Sequence, residues 1–197
     1  HANIQDAINA AATDDIIIVC AGTYAEQLTI NKKLDIRGPK YGIPGSNGTR
    51  GSGEAIIVPP SELNTSVPRE WSTVQLVRID ADGAKMDGFT ISGDNPLIDG
   101  YSYAGMNVEA GRGIRSAAND VTFTNNIVEK FTYIGFNAVG GIPTPTYTNL
   151  VLSGNKFDQI HDLTQLGYGF AMYIQATAGS VTNNVVTNSR AGIQVQP

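Results

Sequence analysis

A recurring interval limits what this chain can fold into. Val121 to Asn126 reads VTFTNN, Leu150 to Asn155 reads LVLSGN and Gly179 to Asn184 reads GSVTNN, so the closing asparagines Asn126, Asn155 and Asn184 are 29 residues apart at each step. Phe123, Leu152 and Val181 keep that interval, as do Thr124, Ser153 and Thr182, and Val128, Phe157 and Val186. Apolar residues match apolar residues, and hydroxyls match hydroxyls. Intervals of this size mark stacked supersecondary units, each unable to bury its apolar face without neighbours. The unit holds short alternating runs of Val, Ile, Phe and Thr broken by Gly and Asn, which is strand chemistry rather than helix-pair chemistry. One repeat per turn of a coil would put equivalent residues roughly 4.8 Å apart. The asparagines would then form a ladder at a sharp bend, since an amide donates and accepts and Asn tolerates the left-handed conformation a bend requires.

The rest of the sequence extends this reading. In NIQDAINAAA, Ile4, Ala7, Ile8 and Ala11 share one helical face, with Asn3 as N-cap, and a helix within residues 1–12 is expected to cover the open first coil. Ile16 to Val19 reads as a strand buried on both faces, with Cys20 an inert, buried thiol at its end. Tyr24 and Glu26 read as outward rim positions. Leu28 and Ile30, then Leu34 and Ile36, alternate as strands, while 38–54 and 59–73 are loops by their Gly, Pro, Ser and Asn content. Trp71 closes the second of these as a packing residue. FTISGD at 89–94 matches VTFTNN 32 residues ahead, and the extra length falls in 95–112, a candidate wall of any binding cleft, carrying Tyr101 and Tyr103.

The segment IQDAINAAATDDIIIVCAGTYAEQLTINKKLDIRG, residues 4 to 38, together with VTFTNNIVEK, resembles the right-handed parallel β-helix proteins of the pectin-lyase-like superfamily. GPKYGIPGSNGTRGSGEAII at 38–57 is similar to secreted bacterial surface β-helix repeats. The fold expected is therefore all-β: one right-handed, single-stranded parallel β-helix over 1–197, of about five to six coils by the repeat length, with a short capping helix. The closing AGIQVQP stops partway through a coil and carries no amphipathic cap, which reads as a fragment, as a chain that another domain continues, or as a surface on which the next subunit stacks. The start at His1, without a signal peptide, reads as a mature or excised form.

The resemblance implies that ligand-facing groups sit on the outer face of the strand that follows the long loops. By register these are Arg115, Asn137, Gln175 and Gln194, with Tyr173 beside them, while Ile114, Phe136, Ile174 and Ile193 point inward. A pectate-lyase-like site would need a carboxylate cluster and a basic residue, and a pectin-esterase-like site two aspartates with an arginine and glutamines. Glycoside hydrolysis needs two facing carboxyl groups. The row offers one arginine, amides and a phenol. The catalytic set left for an enzyme is Arg115 with His161 and Asp162. Asp80, Asp82, Asp87, Asp94 and Asp99 are oxygen-rich enough for Ca²⁺ but read as turns, because the loop spacing of a dedicated calcium site is missing. No other metal or cofactor is implied.

Net charge is −5 without a basic run, which argues against nucleic acid, and no apolar span approaches membrane-helix length. Asn47 and Asn64 open glycosylation sequons. These features point to an extracellular or cell-surface module that is structural or adhesive and touches carbohydrate or neighbouring copies of itself stacked end to end. The alternative is a polysaccharide-active enzyme of pectate-lyase or pectin-esterase type working on an acidic polysaccharide.

Overall fold

The computed structural model describes residues 1–47, 50–60, 75–98, 101–103, 106–138, 147–162, 168–175 and 178–195. Among the described residues one helix, α1 (Ile4–Ala10), precedes six coils of three strands each. The coils run β1 (Ile16–Ile18), β2 (Gly22–Ala25), β3 (Leu28–Ile30); β4 (Asp35–Arg37), β5 (Ala55–Val58), β6 (Gln75–Ile79); and β7 (Lys85–Asp87), β8 (Thr90–Ser92). The hairpin β9 (Tyr101–Tyr103), β10 (Met106–Val108) interrupts the third coil before β11 (Arg112–Ser116). Then follow β12 (Thr122–Thr124), β13 (Ile127–Phe131), β14 (Ile134–Ala138); β15 (Leu150–Ser153), β16 (Lys156–Ile160), β17 (Phe170–Ile174); and β18 (Gly179–Thr182), β19 (Val185–Thr187), β20 (Ala191–Val195). Equivalent strands pair in parallel into three six-stranded sheets, so the fold is a parallel β-helix.

Stacking in register puts like side chains in columns. In the second sheet Ile57, Ile91, Val128, Phe157 and Val186 line up inward, and Phe123, Phe136 and Phe157 are fully buried. Burying each such side chain contributes about 1.5–3 kcal/mol. Tyr24 occupies the same column beside Ile57, so it is an inward residue and not a rim residue. Its Gly-Thr and Glu-Gln neighbours resemble a turn, and only the pairing shows its direction. The third coil also differs from the sequence alignment. Lys85–Asp87 pairs with Thr122–Thr124 and Thr90 with Ile127, so the match lies 37 residues ahead, and Phe89 stands where Asn126 does.

The first sheet turns into the second at a corner that carries the asparagine ladder. Asn126 Oδ1 accepts from the Phe89 amide, Asn155 Oδ1 from the Asn126 amide and Asn184 Oδ1 from the Asn155 amide, each at 2.9 Å. Their Nδ2 groups donate to the carbonyls of Met86, Phe123 and Leu152 at 3.1, 3.0 and 2.9 Å. The left-handed conformation falls not on the ladder asparagines but on the residue before each: Asn125, Gly154 and Asn183 have φ of 57°, 68° and 55°.

The 38–54 loop does more than interrupt the second coil: it straps this ladder corner. The Ser46 amide reaches the Gly154 carbonyl at 3.1 Å, and a Cβ on Gly45 would collide with the Asn126 carbonyl. Gly88 (φ 83°) lies so close to Lys40 and Tyr41 that no side chain fits there. Arg50 seals the strap. Its guanidinium, 1% exposed, donates to the Asn125 and Phe89 carbonyls and pairs with Glu54 at 2.8 Å. Burial lowers its pKa, and the Glu54 carboxylate opposes that shift.

At the other end α1 packs on β3 of the third sheet. Gln5 pairs with both backbone groups of Thr29 and so satisfies the open edge of β3, while Ile4 and Ile8 bury. Asn3 sits at the N-cap without capping through its side chain; Glu26 instead accepts the Ile4 and Gln5 amides at 2.9 Å. Lys32 donates to the carbonyls of Ile8, Asn9 and Ala11. A carboxylate at the N-terminus and an ammonium at the C-terminus both suit the helix dipole. β1 is left open: Ile16 and Ile18 face outward, 53% and 78% exposed, and Cys20 is exposed as well. The apolar run therefore belongs to an uncovered end coil and not to a strand buried on both faces. Among the described residues no helix is long and apolar enough to cross a membrane.

Candidate functional site

The passage from the second sheet to the third is irregular, and it frames the candidate site. Coil four makes it in Thr132 and Tyr133 alone, whereas 93–111 intervene in coil three and 161–169 in coil five. The strands that follow still pair in register. Thr29, Arg78, Arg115, Asn137, Tyr173 and Gln194 therefore form one outward column, with Val77, Ile114, Phe136, Met172 and Ile193 on the inward side. Four sequence-nominated residues, Arg115, Asn137, Tyr173 and Gln194, are brought together here. Gln175 is not: it lies past the end of β17, is 7% exposed, and its backbone N–H donates to the Ala138 carbonyl at 2.8 Å. The coil-five insertion hides where β17 begins, so Met172 takes the position expected of Ile174, which pairs with Ala138.

Five further residues join the face. Arg78 stands directly beside Arg115 and is held by Asp80 at 2.6 Å. The Arg112 guanidinium lies 4.6 Å over the Tyr133 ring, and that ring stacks on Tyr168 with centroids 4.0 Å apart. Tyr168 meets the edge of Phe170 at 6.5 Å, and Phe170 stacks on Tyr173 at 5.5 Å. Because Tyr133 is covered on its faces, it offers its hydroxyl and not a flat platform. Burial, then the hydrogen bond with Tyr168, raises its pKa to about 12 against the opposing effect of Arg112, so the phenol stays a proton donor across the neutral range. An aromatic just ahead of each strand, as in TYIGF and YGFAM, was the available signal.

His161 and Asp162 lie at the same corner in coil five. The His161 amide donates to the Phe131 carbonyl at 2.8 Å; Asp162 is 5% exposed, with its carboxylate 3.7 Å from Arg190 Nε. Arg190 also donates to the Tyr168 carbonyl at 2.6 Å. Arg115 belongs to coil three, two strand steps away, roughly 10 Å.

The nominated aspartates serve structural contacts. Asp82 accepts from Asn119, Asp87 from the Gly42 amide, Thr124 and Asn125, and Asp94 pairs with Lys130 at 2.6 Å. Asp99 lies outside the described residues. Among the described residues no three or more His, Cys, Asp or Glu are grouped to hold a metal ion. Asn47 is exposed on the strap, while Asn64 and Trp71 lie outside the described residues.

On the neighbouring second sheet Glu129 and Asp158 are register partners with divergent acidities. Burial raises the Glu129 pKa, aided by Asp158 and Asp94 and opposed by Lys130 and Lys156. Burial alone would also raise Asp158, but hydrogen bonds from Lys156, Asn188 and Thr187 outweigh it and leave that pKa lowered.

The sequence profile of a family described as "Right handed beta helix region" matches residues 72–196. No curated protein and no solved structure matches the chain.

Proposed function

Because the chain belongs to the right-handed β-helix family, whose rod fixes no chemistry by itself, we propose that it is a non-catalytic extracellular module, structural or adhesive, that holds carbohydrate along the third sheet's outer face. One observation carries this reading. Arg115, Tyr173 and Gln194 set a guanidinium, a phenol and an amide along one column, in which Asn137 is the buried step between the first two, with no carboxylate among them. Such a column supplies hydrogen-bond donors and acceptors at a regular pitch, which suits the hydroxyls of a sugar polymer and gives no acid–base pair for breaking it. The similarity of 38–57 to secreted surface repeats supports an extracellular setting.

A glycan array probed with the purified chain, followed by assays for reducing ends and unsaturated products on every ligand bound, tests the proposal. The expected result is saturable binding without product, weakened about tenfold by Tyr173→Phe, the loss of roughly one good hydrogen bond to a ligand. Product formation on any bound polysaccharide would replace it with the enzyme reading.

A further inference from the structure

We infer that Tyr133 and Tyr168 form an oxidative cross-linking site, at which a one-electron oxidant joins their rings through an ortho–ortho carbon bond and staples coil four to coil five. The inference goes beyond the carbohydrate reading and does not depend on it, since the two rings meet without any ligand.

Tyr133 is half of the two-residue passage between β13 and β14, and Tyr168 stands near the end of the longer passage between β16 and β17. β14 and β17 pair in register, Ile134 with Phe170, and the Gly169 backbone N–H donates to the Tyr133 carbonyl at 2.8 Å. The backbone therefore sets both side chains at the same corner of neighbouring coils. Their rings stack with centroids 4.0 Å apart and 26° between planes. Their hydroxyls share a hydrogen bond, so the rings lie the same way round and an ortho carbon of one faces an ortho carbon of the other. Phenoxyl radicals couple in this arrangement, because the unpaired spin sits on the oxygen and on the ortho and para carbons, and in tyrosine the side chain blocks the para carbon.

Among the described residues no other two tyrosines are in ring contact. Tyr173 stacks on Phe170, which has no phenol to oxidise, and Tyr41 lies under the Arg37 guanidinium. Arg112 over the Tyr133 ring and Phe170 at the edge of Tyr168 hold the pair in place. Both tyrosines are only half-buried, so an oxidant in solution reaches them. The cation beside Tyr133 opposes withdrawal of an electron from that ring, which makes Tyr168 the first to be oxidised. With one cysteine in the chain, no disulfide within it can supply such a staple.

In the reaction each phenol gives up one electron and one proton, and the two radicals join at their ortho carbons. The hydrogen on each joined carbon then moves to that ring's oxygen as aromaticity returns. Hydrogen peroxide, acting through a peroxidase, takes up the two electrons and two protons and leaves as two waters. The product holds one new carbon–carbon bond and is lighter by two hydrogens. It closes the loop from 133 to 168, which removes conformations from the unfolded chain and stabilises the folded one.

The test treats the purified chain, dilute enough to disfavour contact between molecules, with a peroxidase and hydrogen peroxide, while free tyrosine in a parallel tube shows that the oxidant is active. Dityrosine fluorescence, the mass of the monomer, its tryptic peptides and its urea midpoint are then read. The wild type should give a fluorescent monomer lighter by two hydrogens, with peptide 131–156 joined to peptide 157–190 through Tyr133 and Tyr168, and a raised midpoint. Tyr168→Phe keeps the stacked ring but lacks the phenol, and should abolish both the joined peptide and the rise in midpoint. Tyr173→Phe, altered in the same tryptic peptide, should leave them in place. Absence of dityrosine in the wild type, dityrosine found only between molecules or at other tyrosines, or a joined peptide that survives in Tyr168→Phe would each overturn the inference.

Discussion

The two corners of the coil that flank the second sheet are built on opposite plans. At the ladder corner coils three to six turn in two residues each, the 38–54 loop of coil two folds back as the strap, and the same amide returns every 29 residues, its oxygen and nitrogen satisfying the coils on either side. At the loop corner coil four passes in two residues while coils three and five carry insertions, and what accumulates is arginine, tyrosine and phenylalanine on the outside. A corner whose polar groups are all used internally has nothing left for a partner. Ligand chemistry is therefore sought where the coil departs from its own repeat.

The largest effect that would probe this contrast is at the strap. Arg50→Ala removes a buried cation from Glu54 and from the Phe89 and Asn125 carbonyls, and should lower the unfolding free energy by about 3–5 kcal/mol, the usual cost of breaking a buried pair from one side. Urea unfolding measures it, and a loss under about 1 kcal/mol would mean the strap is dispensable. Next comes the ladder itself. Asn155→Ala strands the Asn126 amide and the Phe123 carbonyl, costing about 2–3 kcal/mol, whereas Asn184→Ala, at the less buried last rung, should cost about half as much. Equal losses at both rungs would show that burial does not set the ladder's strength.

At the loop corner stability should respond less. Tyr168→Ala removes the stack beneath Tyr133 at a cost of about 1 kcal/mol while weakening carbohydrate binding. Stability lost without any change in binding would make the stack purely structural. The smallest effect is on pH dependence. Asp158, with its pKa lowered, contributes stability above the ordinary carboxylate range that is lost as pH falls through its folded value. Glu129, with its pKa raised, acts in the opposite sense: the fold gains stability as pH falls through that raised value toward the ordinary range. Glu129→Gln should therefore raise the urea midpoint at neutral pH and remove the gain in mild acid, and Asp158→Asn should lower the midpoint and flatten its fall in acid.

The same contrast explains what could be read from sequence. The ladder, the inward columns and the parallel coil were legible because Asn126, Asn155 and Asn184 recur at one interval, and an interval is visible without coordinates. Arg78, Arg115, Asn137, Tyr173 and Gln194 share a column at no fixed spacing, since the loops ahead of each strand differ in length. Arg115, Asn137, Tyr173 and Gln194 were reached by pattern; Arg78 was missed, and Gln175 was misplaced by a two-residue shift. Arg50 was hidden in a stretch whose Gly and Ser content reads as solvated loop, although the chain returns to pack on three later coils. End effects account for Ile16, Ile18 and Cys20: periodicity places a residue on a face but does not say whether another layer covers that face.

Backbone amide chemical shifts, recorded while the chain is titrated with the best-binding oligosaccharide from the array, test most directly which face carries the function. The account predicts perturbations running along the third sheet, at 112–116, 134–138, 170–174 and 191–195, with the ladder corner silent. Shifts centred on the first sheet or on the strap over the asparagine ladder would contradict it.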